Sequence, residues 1–306
     1  LDTRWNEERL ARLVWVVAGL LVAAIVGFGV FYYRDRYVRD YQPLAERQVA
    51  QMEDLVRRDP QNAHLRVAVA QNYLDQGYVD RALKQAQEAL KIDDQLESAY
   101  ITQGVIYLRK GNLTEAETSF RKVVELNEGF AYAQLNHQLQ FAHYQLGQIA
   151  SQRNDYSVAI DEYRKALAIQ ASDADARFGL GLAYQKLGQH DEAIKEFSEA
   201  VRYVPDFTEV YAALATSYEA KGMEQAARYA QAMIVFVNGD YARAANELAE
   251  VVKRQPELAG AQLGLGLSYE QLGQRDAAIA AFKKVLELRP GDVSAIQGLG
   301  RLGVEP

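Results

Sequence analysis

Residues 174–207 read ADARFGLGLAYQKLGQHDEAIKEFSEAVRYVPDF. Apolar and small residues fall into two helical runs here, one on each side of Gly188. Gly181 leaves room for close approach by the neighbouring helix, and Tyr184 fills the space beside it. Gly188 ends the first helix, because glycine enters the left-handed conformation without strain. Ala193, Phe197 and Ala200 then make a small–large–small face by which the second helix packs back on the first. Pro205 stops that helix, since it has no N–H to continue the ladder. The stretch is therefore a helix hairpin in 34 residues.

The same spacing recurs along the chain. Residues 259–292 carry Leu265, Gly266, Tyr269, Gly273, Ala278, Phe282, Val285 and Pro290 in register, and 97–130 carry Tyr100, Gly104, Tyr107, Gly111, Ala116 and Phe120. A weaker copy at 63–96 keeps Tyr73, Gly77, Ala82 and Ala89. Another at 140–173 keeps Leu146, Gly147, Ala159, Tyr163 and Ala166, leaving 131–139 over. No breaker interrupts 130–153, so one extended helix of more than about twenty residues is expected there. Residues 208–258 are irregular. Three helices are expected in them, the middle one (around 224–237) serving both as partner of the helix before it and as first helix of the next hairpin. A lone helix at 44–58 caps the start, and a short terminal helix at 293–302 covers the end.

A repeat of about 34 residues with these positions resembles the tetratricopeptide-repeat family. That resemblance implies an all-α fold: an α-solenoid over 44–306, a right-handed superhelix of helix hairpins whose inner groove binds other polypeptides. In such repeats the groove is lined by positions two, five, nine and twelve of each first helix. Carried onto this sequence, the apolar lining is Ile101, Val105, Leu108, Phe141, Tyr144, Phe178, Leu182, Tyr229, Met233, Phe236, Leu263 and Leu267. Some apolar lining is expected for packing alone, but these positions are not needed for contact between the two helices of a hairpin. One subgroup of the family clamps a chaperone C-terminal carboxylate with Lys at position five and Asn at position nine. Here those positions read Val67 and Gln71, Ile101 and Val105, Tyr144 and Gln148, Phe178 and Leu182, so the clamp is absent.

Ahead of the repeats the chain changes character. After a charged tail at 1–12, residues 13–33 (LVWVVAGLLVAAIVGFGVFYY) form an uncharged run long enough, at 1.5 Å per residue, to span roughly 30 Å of hydrocarbon. Trp15 at one end and Phe31, Tyr32 and Tyr33 at the other suit the two interfacial belts. A single transmembrane helix is expected, in a bacterial cytoplasmic membrane, with 34–43 as a short connector. Arg4, Arg9 and Arg12 on one side balance Arg34, Arg36, Arg39 and Arg47 on the other, so the charges leave the orientation undecided. Gly19, Ala23 and Gly27 recur every four residues, a face against which another membrane helix would pack.

Composition narrows the function. The net charge of -7 speaks against nucleic acid as a partner. The absence of cysteine removes thiolate metal sites, c-type haem and cysteine nucleophiles. The four histidines include no HExxH and no i,i+4 pair. GLGRLG at 298–303 matches a dinucleotide fingerprint literally, but no strand precedes it, and its glycines fall where the repeat places small residues. Glu192, Glu196 and Glu199 read as a solvated helix face. The expectation is a membrane-anchored scaffold that binds proteins, as a subunit or recruiting factor of a larger membrane complex, has no cofactor, and is not an enzyme. A membrane-tethered assembly factor or chaperone meeting transient clients stands as the alternative.

Overall fold

The structure, a computed structural model, describes residues 26–28, 30, 44–129 and 135–305, and every regular element among them is helical. From residue 44 onward fifteen helices follow among the described residues: α1 (Leu44–Arg58), α2 (Ala63–Asp75), α3 (Val79–Ile92), α4 (Glu97–Arg109), α5 (Leu113–Leu126), α6 (His137–Gln152), α7 (Tyr156–Ile169), α8 (Ala174–Lys186), α9 (His190–Tyr203), α10 (Thr208–Ala220), α11 (Glu224–Val237), α12 (Tyr241–Arg254), α13 (Ala259–Gln271), α14 (Arg275–Leu288) and α15 (Val293–Arg301). The chain divides into two compact units between Thr102 and Gln103, within α4. In the first unit α1 packs on α2 and α2 on α3, over a core of Ala63, Val67, Ala89, Leu96 and Ala99. In the second, successive helices from α6 to α15 pack each on the next. Its main core runs from Ala150 to Leu265, and a smaller one gathers around Phe282 and Leu299.

In the second unit, aromatic rings are clasped by helix glycines. A Cβ on Gly181 would stand 2.4 Å from the ring of Phe197, one on Gly104 2.7 Å from Phe120, one on Gly147 2.8 Å from Tyr163, and one on Gly266 2.7 Å from Phe282. Each glycine precedes its ring by sixteen residues, so the contact closes one hairpin. Two of the rings also meet a glycine of the element that follows: Gly179 against Tyr163 and Gly298 against Phe282, at 2.5 and 2.6 Å from a built Cβ. Carbon atoms normally meet at about 3.5–4.0 Å, so these sites take no side chain without movement of the ring. Gly298 thus has a packing role, which accounts for GLGRLG without a nucleotide.

The loop before five of the first helices is tied down by a side chain at position four. Arg66 donates to the Pro60 carbonyl, Tyr100 to Asp94, Arg177 to Ala171, Tyr211 to Pro205 and Gln262 to Pro256. Five different hairpins make this bond across the same six residues, with three different residue types. Any long side chain carrying an N–H or O–H suffices, and this satisfies a carbonyl exposed where the preceding helix has ended.

The hairpin of α6 and α7 departs from that pattern, and here one expectation is overturned. Instead of an extended helix through 130–153, α6 starts at His137. Asn136 ends the run from within: in extended conformation, its side chain accepts from the N–H groups of Gln138 and Leu139. Its amide also donates to Asn127 Oδ1 at 2.8 Å, tying the start of α6 to the end of α5. Because α6 begins early, the residue six before position four is helical, and His143 turns instead to Glu162 on α7, with Nδ1 and Oε2 2.7 Å apart and both side chains buried. Lys165 completes the group at 2.9 Å from Glu162. Burial pushes the Glu162 carboxyl up, but the hydrogen bonds from His143 and Lys165 outweigh that and hold it below the usual carboxylate range. At the far end of this helix Asn154 (φ 63°) takes the left-handed position that Gly188 (φ 73°) occupies one hairpin later.

Between α10 and α12 the alternation of helices slips by one. Up to this point the even-numbered helices touch one another, α6 with α8 and α8 with α10; beyond it the odd-numbered ones do, α11 with α13 and α13 with α15. The cause lies in α11. Ala230 and Ala232 are both fully buried although they point about 200° apart at 3.6 residues per turn. Small residues on both sides let α11 pack as second helix against α10 and as first helix against α12 and α13.

The proposed membrane span falls largely outside the described residues. Val26–Phe28 and Val30 are helical, and the side chains of Val26, Phe28 and Val30 are exposed. Among the described residues no helix is long and apolar enough to cross a membrane.

Candidate functional site

The even-numbered helices α6, α8 and α10 lie side by side, and the repeat's spacing puts their positions two, five, nine and twelve on one wall. Phe141 and Tyr144 on α6 and Phe178 and Leu182 on α8 are half-buried there. The wall's rings also touch the hairpin cores. Phe141 meets Phe120 edge-on at 6.2 Å, Tyr144 lies 6.0 Å from Tyr163, and Phe178 lies 5.9 Å from Phe197 and 5.1 Å from Phe207. Each ring leans on a clasped aromatic, Phe178 on Phe207 as well, and each stays partly exposed, which restricts the wall's rotamers.

Polar groups knit the wall laterally. Gln148 donates to the Tyr144 hydroxyl within α6. Gln185 donates from α8 to the Ala213 carbonyl (3.0 Å) and Ser217 Oγ (2.7 Å) of α10. Burial, reinforced by the Asp175 carboxylate, raises the Tyr144 hydroxyl to about 12. Burial and the nearby Asp173 likewise push the Asp175 carboxyl up. Sequence reasoning passed over α10, although the same position rule applies to it. It contributes Glu209, Ala212, Thr216 and Glu219, all exposed.

The other expected lining residues fare differently. Ile101 is half-buried in the first unit; Val105 and Leu108 are half-buried in the second. Tyr229 stacks edge-on against Tyr211 at 6.4 Å and abuts Gly260, its hydroxyl raised by burial. Met233 is core rather than lining: it is 3 % exposed, and its sulfur would stand 2.5 Å from a Cβ on Gly264. The slip in α11 turns it inward. Phe236 is half-buried with its ring 5.3 Å from that of Tyr241. Leu263 and Leu267 pack partly onto the Phe282 core, beside a two-point ion pair from Arg301 to Glu270 at 2.6 and 2.7 Å. Of the membrane-helix positions, Gly19 and Ala23 lie outside the described residues, and a Cβ on Gly27 would meet nothing within 4 Å.

A cleft of about 420 Å³ opens between α7, α8 and α9, and two of its cations are engaged within it. Arg164 donates to the Tyr184 hydroxyl and lies over that ring, and Arg177 pairs with Glu196 at 2.7 Å. Among the described residues no group of three or more His, Asp or Glu side chains is placed to hold a metal ion.

Sequence profiles described as tetratricopeptide repeat match residues 97–130, 174–207 and 229–293, and one described as TPR repeat matches 147–188. The third of these begins inside α11, the helix that takes over as a first helix. The chain is 27 % identical over 222 residues to the type IV pilus assembly protein PilF of Pseudomonas aeruginosa, covering 70 % of this chain and 83 % of that protein. It is 30 % identical over 147 residues to the cellulose synthase 1 operon protein C of Komagataeibacter xylinus, which is 48 % of this chain and 11 % of that one. It is 25 % identical over 157 residues to the TPR repeat-containing protein YpiA of Bacillus subtilis, 51 % of this chain and 35 % of that one. The chain thus spans only a minor part of the latter two. Among solved structures, MamA matches with 25 % identity and a TM-score of 0.51 over 57 % of this chain and 96 % of that one. The C-terminal part of a TPR repeat-containing protein from Cytophaga hutchinsonii shares the fold, with a TM-score of 0.53, 17 % identity, and 89 % and 98 % coverage.

Proposed function

This chain belongs to the tetratricopeptide-repeat family, and from that premise we propose that it is a membrane-anchored scaffold that docks another polypeptide along the wall of α6, α8 and α10. One observation carries the reading. Phe141, Tyr144, Phe178 and Leu182 stay half-exposed although apolar side chains of that size are ordinarily buried, and they adjoin the open face of α10. Their rings are braced from behind, so an incoming segment meets a surface already ordered, and little conformational entropy is lost on binding. The wall offers hydrogen-bonding side chains at its edges and apolar ones at its centre, which suits an extended segment or one face of a helix. The scaffold performs no chemistry itself.

The anchor in this reading is 13–33. The length and apolarity of that run support it, as do the exposed Val26, Phe28 and Val30 within helical backbone. In this reading the membrane is a bacterial cytoplasmic one. A second reading, a membrane-tethered assembly factor, is favoured by the match to a pilus assembly protein across most of that protein's length.

Two substitutions test the wall. Leu182→Ser removes an apolar contact, and Ala212→Gln crowds the wall from an exposed position that supports no core. Full-length protein is purified from membranes after crosslinking. A partner retained in fixed proportion by the unaltered chain and lost from both variants supports the scaffold. Many clients in small amounts support the assembly factor. A partner retained equally by all three proteins removes the wall from the account, and release of the chain by alkaline carbonate removes the anchor.

A further inference from the structure

The wall has a one-sided charge. Neither α6 nor α10 contains a lysine or arginine. On α8, Arg177 is turned away to Glu196 and the Ala171 carbonyl, and Lys186 sits at the exposed end of the helix. The cations just past the wall's ends are engaged elsewhere, Arg153 with Glu117 and Lys221 with Asp191. The carboxylates face the other way. Asp175 and Glu209 stand in the first turns of α8 and α10, and neither has a cationic partner among the described residues. Glu219, at the other end of α10, is exposed and accepts only a neutral hydrogen bond, from Gln231. Apolar centre and acidic margins therefore coincide on one surface.

We propose that the segment received by this wall is cationic, an inference that rests on the docking function above. Helices pack about 8–10 Å apart, and an extended chain advances about 3.3 Å per residue, so roughly six residues cross from α6 to α10. An aromatic or large aliphatic side chain of the partner seats against Phe178 and Leu182. Lysines or arginines beside it reach Asp175 and Glu209 at one margin and Glu219 at the other. The seated apolar residue supplies affinity; the carboxylates select against neutral and acidic segments by leaving their charges unpaired when the wrong partner lies over them. An acidic peptide is repelled at both margins.

The test uses the full chain in detergent micelles and a phage-displayed library of random peptides of about seven residues. Selection on the unaltered chain is expected to enrich peptides with two or more Lys or Arg around one aromatic or large aliphatic residue. A representative peptide is expected to bind the triple variant Asp175→Asn, Glu209→Gln, Glu219→Gln at least about tenfold more weakly, and to lose most of its salt dependence there. The triple variant replaces carboxylates by amides of the same shape, and its circular dichroism verifies that the helices persist. A neutral or acidic pool that Leu182→Ser and Ala212→Gln no longer bind overturns the charge selection and leaves the docking wall standing. A pool that binds those two variants as well as the unaltered chain, or no enrichment at all, overturns both.

Discussion

Replacing Gly181 by alanine sets two effects of known size against each other. Within a helix the exchange is worth about 1 kcal/mol in favour of alanine, because glycine loses more backbone freedom. Against this, the new Cβ would stand 2.4, 2.6 and 3.0 Å from three atoms of the Phe197 ring. Contact distance is about 3.5 Å or more, so roughly 1 Å must be found. Phe197 has none to give: it is 0 % exposed, and Phe178 lies 5.9 Å from it. Overpacking of this kind costs about 1–3 kcal/mol, and a displacement this large belongs at the upper end. The net expectation is destabilisation by about 1–2 kcal/mol, a fall in Tm of roughly 2–8 °C. Gly300→Ala is the control. Gly300 is helical, and a Cβ there meets nothing within 4 Å, so the backbone effect alone should stabilise by about 0.5 kcal/mol. Combining Gly181→Ala with Phe197→Leu should cost less than the two single changes added, by about 1 kcal/mol or more. Thermal and urea unfolding followed by circular dichroism reads the four variants against the unaltered chain. If Gly181→Ala stabilises as Gly300→Ala does, or if the pair is additive, the clasp is not what joins these helices.

Three further changes probe the irregular hairpin. Asn154→Gly relieves a left-handed residue at the cost of one exposed bond from Tyr156, and should raise stability by about 0.5–1 kcal/mol in the same unfolding assay. Asn136→Ala removes the cap of α6 and should cost about 1–2 kcal/mol; hydrogen exchange should show the loss concentrated at 137–140. Glu162 has a folded-state pKa below its unfolded one. Its stabilising contribution is therefore complete above about pH 4.5, the ordinary glutamate value, and is lost as the pH falls through the lower folded value. Glu162→Gln should cost about 2–3 kcal/mol at neutral pH and flatten this part of the acid limb, and an acid limb identical to the unaltered chain's would remove Glu162 as its source.

The regular hairpins were legible because the same few residues do the same mechanical work in each: a glycine where a ring is seated, another where the helix ends, an alanine where helices touch. Where a position changed residue type, the reading weakened. Asn136 looked like one more polar residue in an unbroken helical run, since capping depends on backbone geometry that composition does not reveal. The pairing of His143 with Glu162 was hidden for the same reason: it exists only because α6 starts early. Two small faces on α11 announced its double role, but which side Met233 would take depended on the register with Gly264, a contact between helices two apart. The lining rule found Phe141, Tyr144, Phe178 and Leu182, yet treated them as independent of the hairpin core, because spacing tells which way a side chain points and not what stands behind it. It was applied to the apolar helices and missed α10, whose exposed Ala212 and Thr216 complete the wall and whose glutamates give it its charge.

The account's central claim is that partners lie on the wall of α6, α8 and α10. A photoreactive benzoylphenylalanine placed at Ala212, and in a separate protein at the exposed Val158 on α7, reports this in cells making the full chain. Light-dependent adducts from Ala212, absent from Val158 and suppressed by Leu182→Ser, are the predicted result. Adducts from Val158 with none from Ala212 would place the partner on the opposite face and contradict it.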